Sequence, residues 1–273
     1  MLRVFAAALL WLAPAVAQPR CGIETPCQLA SGTYRAAAPP GWDGHSPLPT
    51  AIHFHGARGS AAEGMADEAL REDFAAAGVL LILPDGLDGG WAFRGGWRAG
   101  RDDIAFTRDI LADIRARWPV AENLIFASGF SIGGSMVWHL ACEAGLFHAH
   151  VPVGGHAWEP LAGPCPAGPS HLLHIHGLAD ATFPLEGRSL RGGTLIQGNL
   201  FSAFATRRDQ AGCQRQPARM EQARGFTLRS WEASCRSGHR LAMALHPGGH
   251  ELPQGWVGLA MDWLRALPPA PRP

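Results

Sequence analysis

The sequence predicts one α/β domain, built on a mostly parallel β-sheet with helices on both faces. Short and almost wholly apolar runs, which are typical of strands buried on both faces, alternate with amphipathic segments of helical period. The 273 residues are 47% hydrophobic, which is enough for one large core. The sequence shows neither an internal repeat nor a linker, so residues 18–273 are predicted to form a single domain.

The predicted strands are apolar or alternating runs that end in turn-forming residues. An edge strand at 33–37 is followed by a Pro-Pro-Gly turn, and a continuously apolar run at 79–83 is closed by Pro84, Asp85 and Gly86. In chain order, the predicted strands lie at 33–37, 50–54, 79–83, 124–127, 149–153, 171–175, 226–231 and 241–245.

Helices are predicted where apolar side chains recur every three or four residues. In the clearest case, Phe106, Ile110 and Ile114 lie four residues apart and Pro119 follows as a stop. In chain order, the predicted helices lie at 61–77, 103–118, 132–144, 186–210 and 256–267. The glycine-rich residues 86–100 indicate a surface loop.

The strand at 124–127 leads into a G-x-S-x-G pattern with Ser131 at its centre, which is the pattern of a nucleophile elbow. In such an elbow a strand turns sharply into a helix, so the neighbours of the strained serine, Gly129 and Gly133, must be small. The alternative is an ordinary strand-to-helix turn. Because a buried strand precedes the motif and a helical pattern follows it, Ser131 is predicted to be a nucleophile at a helix N-terminus.

A serine nucleophile needs a base that accepts its proton and an acid that orients the base. In this architecture they follow in the order serine, acid, histidine. Asp180, in a tight loop after an apolar strand, is the predicted acid, whereas Asp85 lies upstream and is interpreted as a turn residue. His250 follows the last strand in a glycine turn and is the predicted base, with His239 and His246 as competitors.

Acyl transfer also needs two backbone donors for the oxyanion. Ile132 follows the nucleophile and supplies one N–H group. The His55-Gly56-Ala57 turn supplies the other, assigned to Ala57, because glycine permits a close approach of the substrate. This chemistry needs no cofactor.

A metal site and a nucleic-acid site are the alternatives to a hydrolase site. Three pairs of histidines lie two residues apart, which is a spacing found in zinc sites: His53 and His55, His148 and His150, and His174 and His176. A zinc site needs further ligands, and two pairs lead into the turns already explained, so no metal is expected. The 23 basic and 23 acidic residues balance, so no nucleic-acid partner is expected, and the arginine-rich stretch 206–240 is interpreted as a solvated surface.

Residues 1–17 have the features of a secretory signal peptide. Arg3 precedes an apolar stretch, and Ala15-Val16-Ala17 forms a small-residue cleavage site. The stretch is shorter than the roughly 20 residues that span a bilayer, and no later run is longer, so no membrane span is expected. The mature chain is therefore expected to start near Gln18, to be extracellular or periplasmic, and to be a monomer.

Export makes the six cysteines a predicted set of disulfides. They allow about 15 pairings, and none shows the C-x-x-C spacing of redox or zinc sites. The cysteines are Cys21, Cys27, Cys142, Cys165, Cys213 and Cys235.

Six stretches carry a family resemblance that covers nearly the whole mature chain. They are Gly32-Thr-Tyr-Arg, Phe54-His-Gly-Ala, Asp102-Asp-Ile-Ala-Phe-Thr-Arg, Ser128-Gly-Phe-Ser-Ile-Gly-Gly-Ser-Met, His176-Gly-Leu-Ala-Asp and Gly248-Gly-His-Glu-Leu-Pro. Together they resemble secreted esterases of the polyhydroxybutyrate depolymerase and feruloyl or acetylxylan esterase type. The resemblance implies an α/β-hydrolase fold and a triad of Ser131, Asp180 and His250. It also implies that Cys21 pairs with Cys27, Cys142 with Cys165, and Cys213 with Cys235.

The expected function is that of a secreted serine carboxylic-ester hydrolase. Hydroxyalkanoate esters or oligomers are the first substrate class, and feruloyl or acetylxylan esters of plant polysaccharides are the alternative. A peptidase or thioesterase would use the same triad, and a non-catalytic binding protein on this fold is the alternative from another class. Trp91, Trp97 and Trp158 are predicted to line the acyl site, although such bulky apolar residues also suit a core.

Overall fold

The computed structural model describes residues 21–96, 100–161, 163–232 and 234–268. The predicted signal peptide with its cleavage site, and Trp97, lie outside these residues. Within the described ranges, none of the helices combines the length and the apolar composition that crossing a bilayer requires.

A ten-stranded sheet forms the centre of the structure. In spatial order its strands run β1-β2-β4-β3-β5-β6-β7-β12-β11-β10. The strands are β1 (Cys27–Leu29), β2 (Gly32–Ala37), β3 (Leu48–Phe54), β4 (Leu80–Pro84), β5 (Val120–Phe130), β6 (Ala149–Val153), β7 (His171–Gly177), β10 (Arg219–Ala223), β11 (Phe226–Ser230) and β12 (Leu241–His246). A separate hairpin consists of β8 (Arg188–Leu190) and β9 (Leu195–Gln197).

The interior of the sheet is parallel and its margins are antiparallel. Strands β4, β3, β5, β6, β7 and β12 pair in parallel, whereas β1 and β2 on one side and β11 and β10 on the other pair antiparallel to their neighbours. Every residue of β4, β6 and β7 is buried, as expected for strands covered on both faces. All parallel strands therefore end at one common edge, where loops can converge.

Helices cover both faces of this sheet. They are α1 (Ala61–Ala66), α2 (Glu68–Ala76), α3 (Asp103–Arg117), α4 (Ile132–Glu143), α5 (Leu200–Gln210) and α6 (Trp256–Arg265). Side chains of α1, α2 and α6, such as Met65, Phe74 and Trp256, share one core cluster. Side chains of α3, α4 and α5 pack on the opposite face in two further clusters. The predicted fold class, an α/β-hydrolase sheet with helices on both faces, is confirmed.

Two of the predicted helices were wrong in part. The helix predicted at 61–77 is broken at Asp67, which has an extended backbone and accepts a hydrogen bond from the Leu70 N–H, so that it caps a second helix. In the segment predicted as helix at 186–210, only α5 is helical. The first half forms the β8–β9 hairpin, whose turn contains Gly192 and Gly193 with positive φ angles.

Three disulfides are present, in the pairing that the resemblance implied. Cys21–Cys27 ties the amino-terminal arm to β1, and Cys142–Cys165 joins the end of α4 to the loop that follows β6. Cys213–Cys235 links the segment after α5 to the segment after β11. The described cysteines include no free thiol.

Candidate active site

Ser131 stands between the end of β5 and the start of α4. Its backbone has φ 58° and ψ −123°, a conformation that residues with a side chain adopt rarely. Its N–H donates to the Val153 carbonyl at 3.0 Å, which anchors the turn to the end of the neighbouring strand β6. The side chain therefore emerges at the carboxyl edge of the parallel strands, as the G-x-S-x-G pattern predicts.

The structure brings Ser131, His250 and Asp180 into one hydrogen-bonded line. The Nε2 atom of His250 lies 3.0 Å from the Ser131 Oγ, and its Nδ1 lies 2.8 Å from the Asp180 Oδ2. Because Asp180 can only accept when it is ionised, His250 carries its proton on Nδ1 and offers Nε2 to the serine hydroxyl. This is the arrangement that a general base needs.

Asp180 is held from its other side by the loop that carries it. Its Oδ1 accepts the backbone N–H groups of Thr182 at 2.9 Å and Phe183 at 2.7 Å. The carboxylate side chain is fully buried. Its charge is thus balanced by fixed donors, and one oxygen stays directed at His250.

The imidazole of His250 lies between two phenylalanine rings. The ring centroid of Phe130 is 4.7 Å from that of His250, and the ring of Phe183 stacks nearly parallel at 6.3 Å. These ring contacts restrict the orientation of the imidazole, whose side chain is 18% exposed. The sequence predicted a role for neither residue. Phe130 lies inside the elbow motif, which was a usable signal, whereas nothing local marked Phe183.

Both predicted oxyanion donors lie at the ends of strands beside Ser131. The Ile132 N–H begins α4 and makes no hydrogen bond to another described residue. Ala57 lies in the turn after β3, and a Cβ built on Gly56 would be 3.5 Å from the Ser131 Cβ. The turn therefore runs directly past the nucleophile.

His55 fixes this turn. Its Nδ1 lies 2.7 Å from the Gly56 carbonyl, and its Nε2 accepts the Gly86 N–H at 3.0 Å. The imidazole is therefore the neutral Nδ1–H tautomer, which agrees with the lowered pKa that burial gives His55.

Trp91 packs beneath the turn after β3. It is 1% exposed, and its Nε1–H donates to the His55 carbonyl at 2.9 Å. Trp91 therefore supports this turn from the core. It also lines a small cavity with Leu87 and Arg101, and its role at an acyl site stays a prediction.

Trp158 lines a cleft beside α4. The cleft has a volume of about 50 Å³ and mostly apolar walls, which include Phe93, Trp138 and Trp158. Ser135, one helical turn beyond Ser131, also lines it and accepts the Trp158 Nε1–H at 2.9 Å. Trp158 is itself only 2% exposed.

The competing residues lie elsewhere. His239 packs against His171, with ring centroids 4.9 Å apart, and the His246 Nδ1 accepts the Gly248 N–H at 3.2 Å, which stabilises the turn before His250. Asp85 accepts hydrogen bonds from Thr33 and from the Ala61 N–H, as suits a turn residue.

Two of the three histidine pairs contribute side-chain hydrogen bonds within the described ranges, whereas both ring nitrogens of His150 are buried without a hydrogen-bond partner there. His53 lies 3.0 Å from the Ser128 hydroxyl, and His174 and His176 bond to each other at 3.0 Å. Among the described residues, no three His, Cys, Asp or Glu side chains are grouped as metal ligands.

Known proteins resemble this chain in sequence and in fold. No family model matches the sequence. The putative esterase NocK of Nocardia uniformis subsp. tsuyamanensis is 31% identical over 76% of this chain and 66% of its own length. Feruloyl esterase C of Emericella nidulans is 30% identical over 63% of this chain and 57% of its own length. The chain thus spans less than two thirds of each of these relatives.

Solved structures agree on the fold. The acetyl xylan esterase from Aspergillus awamori superimposes with a TM-score of 0.63 at 15% identity, covering 85% of this chain and 93% of that one. The chain is an α/β-hydrolase. Its relatives in sequence include proteins named as esterases, among them a feruloyl esterase, and the acetyl xylan esterase shares its fold. Two of these three proteins are named for feruloyl or acetyl xylan esters, and none is named for hydroxyalkanoate esters.

Proposed function

We propose that this chain is a serine carboxylic-ester hydrolase that works through an acyl-enzyme. The observation that carries the proposal is the line of hydrogen bonds from Asp180 through His250 to Ser131, at 2.8 and 3.0 Å. A hydroxyl at a strained elbow, next to an oriented neutral imidazole, has the geometry of an activated nucleophile.

Each step uses a group already in place. His250 Nε2 takes the hydroxyl proton as the Ser131 Oγ attacks the ester carbonyl, and Asp180 stabilises the resulting imidazolium. The N–H groups of Ile132 and Ala57 hold the oxyanion, with the positive end of the α4 dipole behind the first. The imidazolium then protonates the leaving alcohol. Water then attacks the acyl-enzyme in the same way: His250 takes its proton and returns it to the Ser131 Oγ as the bond to the acyl group breaks and the acid leaves.

The substrates proposed are feruloyl or acetyl esters of plant polysaccharides, the class named by the relatives. The cleft along α4 includes Ser135, one helical turn from Ser131, but none of the three triad residues lines it, so the assignment rests on the names of the relatives. The walls of the cleft include Phe93 and Trp158, which suit a planar or small apolar acyl group.

We further propose that the protein is exported. Three disulfides suit an oxidising compartment, and the first 17 residues have the composition of a signal peptide. Amino-terminal sequencing of the protein recovered from its native host is expected to start near Gln18, and a start at Met1 would refute this assignment.

The test of the activity compares the mature chain with Ser131→Ala. Both are assayed with p-nitrophenyl acetate, methyl ferulate, acetylated xylan and 3-hydroxybutyrate oligomers. The wild type is expected to prefer the ferulate or acetate esters over the oligomers. The alanine variant should lose at least about 10⁴-fold in kcat, since removal of a triad member abolishes nucleophilic catalysis.

Circular dichroism of both proteins is the control for folding. Equal rates in two folded proteins would refute Ser131 as the nucleophile. Binding of an ester without turnover by the wild type would instead support the non-catalytic alternative. A clear preference for the oligomers would overturn the substrate class but leave the triad intact.

A further inference from the structure

A chain of buried hydrogen bonds joins the helix that follows Ser131 to the loop that carries Asp180. The Trp138 indole N–H, on α4, donates to the His174 Nδ1 at 3.1 Å. The His174 Nε2 lies 3.0 Å from the His176 Nδ1, and both residues belong to β7. The His176 Nε2 lies 2.7 Å from the carbonyl oxygen of Phe183. We call these four residues the relay.

The hydrogen-bonding groups at the two ends of the relay determine which ring nitrogens of His174 and His176 carry a proton. An indole N–H only donates and a carbonyl only accepts. His176 must therefore donate from Nε2 and accept at Nδ1, which obliges His174 to donate from Nε2 and to accept from Trp138 at Nδ1. Only one arrangement satisfies all three bonds, with both imidazoles neutral.

The surroundings reinforce this arrangement. His174 and His176 are 0% exposed, and burial lowers the pKa of both imidazoles, that of His174 well below its usual range. A second proton on either ring would also place two N–H groups against each other. His176 is faced by His156, with ring centroids 5.7 Å apart, and by the titratable side chains of His246, His250 and Asp180. Of these, only Asp180 favours a proton on His176.

Phe183 connects the relay to the reacting groups. Its carbonyl accepts from His176, its N–H donates to the Asp180 Oδ1 at 2.7 Å, and its ring stacks on His250. The His176 Nε2 also lies 3.4 Å from the Asp180 Oδ2, the oxygen that receives the His250 N–H. Fixing Phe183 therefore fixes both the carboxylate and the imidazole plane.

We propose that His176 is a positioning residue for the Asp180–His250 pair, and that His174 and Trp138 hold it in the required tautomer. The inference rests on the proposed function, since it assigns the relay to the same triad. The role inferred for the relay is one of orientation. The relay sets the angle at which the Asp180 carboxylate meets the His250 imidazole, and it links this pair to α4, the helix that begins after Ser131.

The experiment replaces His176 by Leu, which removes both hydrogen bonds at similar size. We expect kcat for p-nitrophenyl acetate to fall by up to about 10²-fold, as when a catalytic group is displaced by about 1 Å, with KM nearly unchanged. We also expect the acidic limb of the pH profile of kcat/KM to move to lower pH, because a misaligned Asp180 stabilises the His250 imidazolium less.

Two further variants separate positioning from packing. His176→Gln retains a donor for the Phe183 carbonyl and is expected to recover part of kcat. His150→Leu is the matched control, because His150 is equally buried but lies near the start of β6, whereas Ser131 lies at the carboxyl edge of the sheet. It is expected to keep the wild-type kcat and pH profile.

Labelling of Ser131 by a fluorophosphonate probe gives a readout that does not depend on the substrate. If the wild type labels rapidly but hydrolyses no ester, the proposed esterase function fails while the labelling rates still test the relay. His176→Leu with the wild-type labelling rate and pH profile would overturn the inference. An equal loss in His150→Leu, or no labelling of the folded wild type, would also overturn it.

Discussion

Ser131 is held in its backbone conformation by bonds that the rest of the chain provides. Its N–H is bonded to Val153 and its carbonyl to the Ser135 N–H. The φ of 58° with a ψ of −123° is costly for any residue with a Cβ, by about 1–3 kcal/mol. The fold therefore carries this cost in order to present the hydroxyl at the edge of the sheet.

The strain at this residue predicts a stability difference between two inactive variants. Ser131→Ala keeps a Cβ in the strained conformation, whereas Ser131→Gly removes it. We expect the glycine variant to be more stable than the alanine variant by about 1 kcal/mol, the reverse of the usual order of these residues. Urea unfolding of the two variants at pH 7.5 measures the difference. A more stable alanine variant would show that the elbow is not strained.

Among single residues, the sequence predicted those site residues that lie in a recognisable local pattern. Ser131 was found from its glycine neighbours, and Asp180 and His250 from their positions after strands in the chain order of the triad. His176 was noted only as a paired histidine and as the first residue of a stretch in the family resemblance, and Phe183 was not singled out, because their proposed positioning role comes from partners on other elements. Hydrogen bonds between α4, β7 and the loop after it have no pattern in a single sequence.

Among the elements, the contact between α4 and β3 sets the geometry of the proposed oxyanion hole. A Cβ built on Gly133 would lie 2.6 Å from the carbonyl carbon of Phe54 and 2.7 Å from the oxygen of His55. A Cβ atom essentially never lies this close to a backbone atom that is not bonded to it. The helix can therefore approach the end of β3 only because residue 133 is glycine. This close approach brings the start of α4, at Ile132, near the turn after β3 that contains Ala57.

The contact predicts the effect of Gly133→Ala. The added methyl must push α4 away from the turn after β3, which separates the two oxyanion donors. A displacement of about 1 Å is expected to lower kcat/KM by about 10²-fold, measured with p-nitrophenyl acetate. Gly163→Ala is the control, because a Cβ there meets nothing within 4 Å. Equal activities of the two variants would contradict this account of the packing.

The central elements were predictable and the peripheral ones were less so. The parallel strands are apolar on both faces, so their runs are visible in the sequence. The β8–β9 hairpin is half exposed and is built on a turn with Gly192 and Gly193, so its residues show no clear strand period. The Gly-Gly pair was the available signal against a helix. The break at Asp67 had a similar local signal, since aspartate is a good helix cap.

At the scale of the whole molecule, the fold buries many histidines in neutral form. Burial lowers the pKa of His53, His150 and His171 to about 3 and that of His156 to about 4. The neighbours of His150 add to the effect, since Arg207, His171 and His148 all disfavour a positive charge there. Unfolding exposes each imidazole to water, where its pKa returns to about 6.5.

These shifts predict that the protein loses stability in mild acid. Because the folded pKa values lie below the unfolded value, the unfolded state binds more protons as the pH falls below about 6.5. Each fully buried histidine is then expected to lower the free energy of unfolding by about 2 kcal/mol between pH 7 and pH 5. Stability should be full above about pH 7 and should fall steadily below it, until the pH reaches the folded pKa values.

Thermal unfolding at a series of pH values tests this prediction. The Tm of the wild type is expected to drop continuously from pH 7 to pH 5, and His150→Leu should show a shallower drop because one proton-binding group of the unfolded state is gone. The Tm of His150→Leu minus that of the wild type should rise steadily as the pH is lowered from 8 to 5, whatever its value at pH 8. Parallel curves would mean that His150 is protonated equally in both states, and a Tm that rises toward pH 5 would contradict the buried neutral histidines as a group.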